Sequence, residues 1–120
     1  MKPVWMIAAL VGAIGAGQPW LAFGQQTTDL GKREYDANCA VCHGAGGKGD
    51  GPTSATIFPK PADHTDPAYM KALTDEHLYR VIDGGGAAVG KSALMPPWGG
   101  ALNEQDIQDV LAYVRTLSGT

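Results

Sequence analysis

A chain of 120 residues with twelve Asp and Glu against nine Lys and Arg carries a formal charge of −3 and has no basic run, which excludes the electrostatic footprint of a nucleic-acid binder. Its length bounds it to one small domain, whose apolar core is marginal unless a staple, a metal or a cofactor supplements it. The two cysteines, Cys39 and Cys42, are three residues apart, so a bridge between them would close a tiny ring and constrain the unfolded chain little; they read as chemistry.

In chain order, Met1-Lys2-Pro3 leads into VWMIAALVGAIGAG, an uncharged apolar run, after which Gln18-Pro19 breaks a helix and Ala22 and Gly24 offer small residues before a cleavage point. This predicts a secretory leader over residues 1–24, cleaved before Gln25, and one domain over residues 25–120. An uncleaved anchor is the alternative, but the run falls short of the roughly 18–20 residues a span needs. No later segment has the character of a span, so the expected location is the periplasm.

Thr28 or Asp29 is placed to cap a helix through LGKREYDANCAVC, stopped by the glycines from Gly44. Thr74 opens a second helix, DEHLYRVID, with Leu78, Val81 and Ile82 on one face and Gly84-Gly85-Gly86 at its end. Asn103 with Asp106 resembles a capping box ahead of IQDVLAYVRTL. There Ile107, Val110, Leu111, Val114 and Leu117 recur at helical spacing, which predicts a buried face, with Gln108, Asp109 and Arg115 on the outer one. Three helices and no strand make the chain all-α. Two long Gly- and Pro-rich loops, residues 44–70 and 84–100, call for an organising ligand or a functional reason.

The stretch NCAVCHGAGGKGDGP, Asn38 to Pro52, holds both cysteines, one of three histidines and five glycines. A structural zinc site would need a fourth ligand, recruited from His64 or His77. A thioredoxin-like pair belongs at a strand-to-helix junction, and no strand is predicted. The third reading is Cys-x-x-Cys-His as the attachment site of a c-type haem. Residues three apart on a helical turn face the same way, so both thiols reach one edge of a porphyrin and His43 falls beneath the ring. Two glycine-rich matches are decoys. Gly44 to Gly49 fits a dinucleotide fingerprint without the strand before it, and Gly85 to Ser92 fits a phosphate-binding loop. Pro96-Pro97 arrive too soon after Ser92 for the helix such a loop requires.

Haem iron takes a sixth ligand or leaves an open site, and Met70, Met95, His64 and His77 are the candidates. The periodicity puts His77 beside Tyr79 and Arg80, facing solvent; His64 sits in the polar loop ADHTD, and Met70 fits loop or core packing. Met95 differs, because Pro96 pushes its backbone to an extended conformation and Pro97 stiffens the chain beyond it.

The ordered set GKREY from Gly31 to Tyr35, CAVCHG, GDGP, LTDEHLYRVIDGG, MPPW and LNEQDIQDVLAYVRTL closely resembles class I monohaem cytochromes c of the bacterial periplasm. The resemblance implies an all-helical cytochrome c fold round one haem c, joined covalently to Cys39 and Cys42, with His43 proximal and Met95 distal. It implies that the first and last helices cross near Gly31, Tyr35 and Tyr113. It also implies that the Gly51-Pro52 carbonyl accepts from the proximal imidazole, and that Trp98 packs on the haem or donates to a propionate. The function so implied is one-electron transfer by a monomeric carrier that is not an enzyme and has no stable membrane span after cleavage, with redox proteins docking briefly at the haem edge. A subunit docked permanently to a dehydrogenase, reductase or oxidase is the alternative, followed by a gas-binding or peroxidatic protein with a labile Met95. The segment over residues 53–69 departs from short family members, which have less chain there.

Overall fold

The computed structural model describes the backbone over residues 19–120 and the side chains from Thr27 onward. The expected leader lies outside these residues, apart from the backbone of residues 19–24. The described residues are helical, with no strand among them, as an all-α chain requires.

Helix α1 spans Pro19–Asn38, so it begins well ahead of the Thr28 or Asp29 cap that the sequence suggests. The chain breaks pitch at Cys39 and resumes as α2, Ala40–His43, which Gly44 ends at φ 84°. The expected single helix is thus two, with the break at the first cysteine. A short helix α3, Pro67–Lys71, falls inside the long loop. Asp66 caps it by accepting from the backbone N–H groups of Ala68 and Tyr69, and Pro67 fills the first helical position, where its missing N–H costs nothing. Helix α4 spans Asp75–Gly84 with Thr74 accepting from the His77 N–H. Helix α5 spans Glu104–Ser118 behind the reciprocal Asn103–Asp106 box, at 2.9 and 3.0 Å.

The core gathers Tyr35 from α1, Met70 from α3, Leu78 and Ile82 from α4, and Ile107, Val110, Leu111 and Val114 from α5. Helices α1 and α5 make the main packing contact. Gly31 is what lets them close: a Cβ there would overlap the Asp109 carbonyl and come within 3.0 Å of the Tyr113 Cβ. One turn on, the Tyr35 and Tyr113 rings meet edge to face at 5.2 Å, so the crossing lies where the resemblance implies.

Two residues depart from the expected outer face of α5. Asp109 is 4% exposed, and Gln105 Nε2 donates to its carboxylate at 2.9 Å; it is buried because its backbone forms the seat for Gly31. Arg115 reaches back across α3, donating to the carbonyls of Met70 and Leu73 at 2.6 Å each and to Asp75 Oδ1 at 2.9 Å. These carbonyls close α3 and the turn after it, where the helix has no further N–H to offer them. Periodicity ranks Arg115 as polar and turns it outward; it cannot register a helix end one packing layer away.

Candidate functional site

The site starts from the break at Cys39. With α1 interrupted there, the Cys42 and His43 N–H groups both turn onto the Cys39 carbonyl, at 3.2 and 2.9 Å, and the two cysteines and the histidine are wound into a single turn. Both thiols are free. Burial, then Glu34 and Cys42, push the Cys39 thiol up to about 12 before any cofactor is attached, so the unattached side chain is a neutral S–H.

The glycines answer a steric demand. Gly44, Gly47 and Gly49 have positive φ, which lets the chain double back beneath the turn at no side-chain cost. Gly51 then lies on the backbone of residues 40–42, where a Cβ would strike the carbonyls of Val41 and Ala40. Its N–H donates to the Cys42 carbonyl at 3.1 Å. Thr53 adds a bond from its Oγ1 to the Val41 carbonyl at 2.8 Å and a contact of 3.3 Å with Cys42 Sγ. The glycine-rich run is therefore a clamp on the attachment turn.

The partner of the His43 ring differs from expectation. Its Nδ1 lies 3.2 Å from the Ala62 carbonyl oxygen, while Pro52 is exposed and does not reach the cavity wall. The chain needs more length than GDGP offers to return beneath the ring, and the segment that departs from short family members supplies it. A bond donated from Nδ1 fixes the tautomer and leaves Nε2 as the nitrogen available to a metal. Burial also lowers the His43 pKa, with the Ala62 bond opposing.

Cys39, Cys42 and His43 form one wall of a cavity of about 900 Å³ that reaches to Leu78, Val81 and Ile82 on α4 and to Met95 and Trp98 beyond it. That volume lies toward the upper end of the roughly 300–1,000 Å³ of small-molecule sites. Two thiols on one turn, an imidazole behind them, a thioether in the same cavity and aliphatic walls between make a donor set that fits haem.

Met95 is held by its backbone neighbours. The Met95 carbonyl accepts from the Gly86 N–H at 3.0 Å; beyond the two prolines, Trp98 and Gly99 donate to the carbonyls of Ile82 and Asp83 at 2.9 and 3.0 Å. Those carbonyls end α4 and need donors. Gly86 is required because a Cβ there would overlap the Ser92 carbonyl. The same contact disposes of the phosphate-loop decoy, since Gly86–Val89 forms a short 3-10 turn and no helix follows Ser92 before α5.

His64 and His77, assigned to solvent by the sequence, both line the cavity. Among the described residues, His64 Nδ1 and His77 Nε2 are the buried side-chain nitrogens without a partner. Burial, and secondarily the nearby His43, hold the His64 pKa down to about 3. The Asp66-Pro67 cap is the readable signal that the loop around His64 is built. Met70 is fully buried, consistent with core packing.

A helical domain with a cysteine-anchored cofactor pocket is the class defined by this geometry. The cytochrome c family profile matches residues 28–118, and the chain belongs to the cytochrome c family. Cytochrome c-554(547) of Halothiobacillus neapolitanus is 36% identical over 98 residues, covering 72% of this chain and 92% of that protein. The Cbb3-type cytochrome c oxidase subunit FixPc of Rhizobium leguminosarum bv. viciae is 29% identical over 91 residues, covering 76% of this chain but 28% of that protein. Among solved structures, a chain of the reducing HAO-like protein complex of Kuenenia stuttgartiensis superposes with a TM-score of 0.61 at 32% identity, over 75% of this chain and 42% of that one. The cofactor is haem c, joined through Cys39 and Cys42, and the chain is an electron-transfer protein.

Proposed function

We propose that the chain is an exported, periplasmic one-electron carrier whose haem iron is held by His43 and Met95. The observation that carries this reading is that His43 and Met95 line one cavity while each is tethered by its own backbone partner. Bound haem supplies a single reversible redox equivalent. The residues do the rest. His43 and Met95 would hold the iron between them and leave no place for a substrate, and a methionine ligand would raise the potential relative to a second histidine. Leu78, Val81 and Ile82 exclude water from the iron. Pinning the Met95 loop at both ends limits how far the sulfur moves between oxidation states.

A docked subunit is the second reading, favoured by relatives whose names place them in an oxidase and in an HAO-like complex and of which this chain spans a fraction. Against it stands the relative of nearly the same length. The electron-transfer site is the same in both.

Spectroscopy of the purified protein, with a mature chain beginning at Gln25, tests the ligands. The ferric protein should show the weak sulfur-to-iron band at the red end of the visible spectrum. Met95→Ala should abolish that band, admit carbon monoxide to the ferrous iron and lower the potential, whereas Met70→Ala should leave the band in place. Ready binding of carbon monoxide by the unaltered protein would show the distal position to be open.

A further inference from the structure

The proximal side of the pocket holds more aromatic structure than a single ligand requires. The His64 ring is stacked on His43 with centroids 4.4 Å apart and planes inclined by 22°. Tyr35 meets the other part of His64 edge-on, at 6.3 Å and 66°, and Tyr113 meets Tyr35 at the crossing of α1 and α5. Each member is anchored. The Tyr35 hydroxyl donates to the Gly44 carbonyl at 2.8 Å, and the His64 backbone N–H donates to the Gly47 carbonyl at 2.6 Å. Asp63, next to His64, accepts from the Thr65 N–H and hydroxyl at 2.8 and 2.6 Å, and Asp66 caps α3. Gly47 makes room for the column, since a Cβ there would press on Leu117 and stand 3.4 Å from the His64 Cβ.

A hydrogen bond from Nδ1 to the Ala62 carbonyl fixes one edge of the His43 ring and leaves its plane free to turn about that bond. A flat group laid against the ring removes that freedom, because aromatic faces in contact resist rotation out of offset packing. We propose that His64 is a positioning residue for the proximal ligand: its ring, braced from behind by Tyr35 and Tyr113, sets the rotational setting of the His43 imidazole plane over the haem. The inference rests on the reading of His43 as the iron ligand. It gives the turn at residues 61–66 two contacts with the same ring, a carbonyl to the edge and an imidazole to the face.

Proton NMR of the ferric holoprotein tests it, because the shifts of the four haem methyl groups follow the orientation of the axial ligand planes and not the stability of the fold. His64→Leu should change the spread and order of those four signals while the red-end sulfur-to-iron band persists. His64→Phe, which keeps a flat ring and removes the nitrogens, should retain the unaltered pattern. If His64→Leu yields no holoprotein, His64→Gln takes its place with the same expectation. An unchanged methyl pattern in His64→Leu, with a lower melting temperature alone, overturns the inference while leaving the ligand assignment intact. A Phe variant that shifts like Leu overturns it too, since the ring face would then not be the operative feature. A His43→Ala protein that keeps its iron ligation overturns the ligand assignment and this inference with it.

Discussion

Tyr35 shows how much one side chain carries here. It is fully buried, its ring meets both Tyr113 and His64, and its hydroxyl satisfies the Gly44 carbonyl at the end of the attachment turn. Tyr35→Phe keeps the ring and strands that carbonyl, so chemical denaturation should show a loss of about 1 kcal/mol. Burial first, with Tyr113 adding to it, pushes its phenol far above the ordinary range. The folded state therefore keeps a proton that the unfolded chain releases above about pH 10. More protons are bound in the folded state in that window, so its stability should fall as pH rises past about 10. Melting temperature measured between about pH 9 and 11 should fall less steeply in Tyr35→Phe than in the unaltered protein. Cys39, Cys42, His43 and Met95, which spacing and flanking prolines single out, line one cavity. The Ala62 carbonyl is not legible in the sequence, because a backbone acceptor has no residue type to betray it. For His64 and His77, which the sequence turns to solvent, polarity is a poor guide where the neighbour is a cofactor pocket.

At the level of elements, α4 and α5 can be read from caps and periodicity, as Thr74 and the Asn103–Asp106 box confirm. Helix α3 escapes a reading by periodicity although Asp66-Pro67 is a strong start signal, because five residues are too few to show a period. Arg115 misleads for a related reason: its partners belong to α3, the turn after it and the first residue of α4. Its side chain is 17% exposed and joins three acceptors from two elements to α5. Arg115→Ala should therefore cost roughly 2–3 kcal/mol in denaturant unfolding. Arg115→Lys should recover only part of the loss, since a single ammonium cannot span the fork. If the two variants match the unaltered protein, the carbonyls at the end of α3 find water and the bridge is incidental.

For the whole molecule, the cavity and the core share their walls. Leu78, Ile82, Val110, Leu111 and Val114 belong both to the buried cluster and to the lining, so the cofactor completes a core that a chain this small cannot close alone. His43→Ala should prevent formation of a stable holoprotein. Circular dichroism of the haem-free chain should show a shallow melt without a sharp transition. Cooperative unfolding of that chain would mean that the helices close the core unaided. Composition foretells such a supplement, and the motif names it. The span over residues 53–69, which the sequence marks only as a departure, builds the floor beneath the proximal ring through Ala62, His64 and α3.

The strap around Met95 has one further implication. The bonds that tie it to α4 and to the turn after it join main-chain atoms: Met95 to Gly86, Trp98 to Ile82, and Gly99 to Asp83. The location of the sulfur is thereby uncoupled from the identity of the strap's outward side chains. Ala93, which is exposed and off the cavity wall, is free to vary in shape and charge while the Met95 backbone stays where it is. Evolution, or an engineer, can rewrite the face shown at this position without moving Met95 behind it.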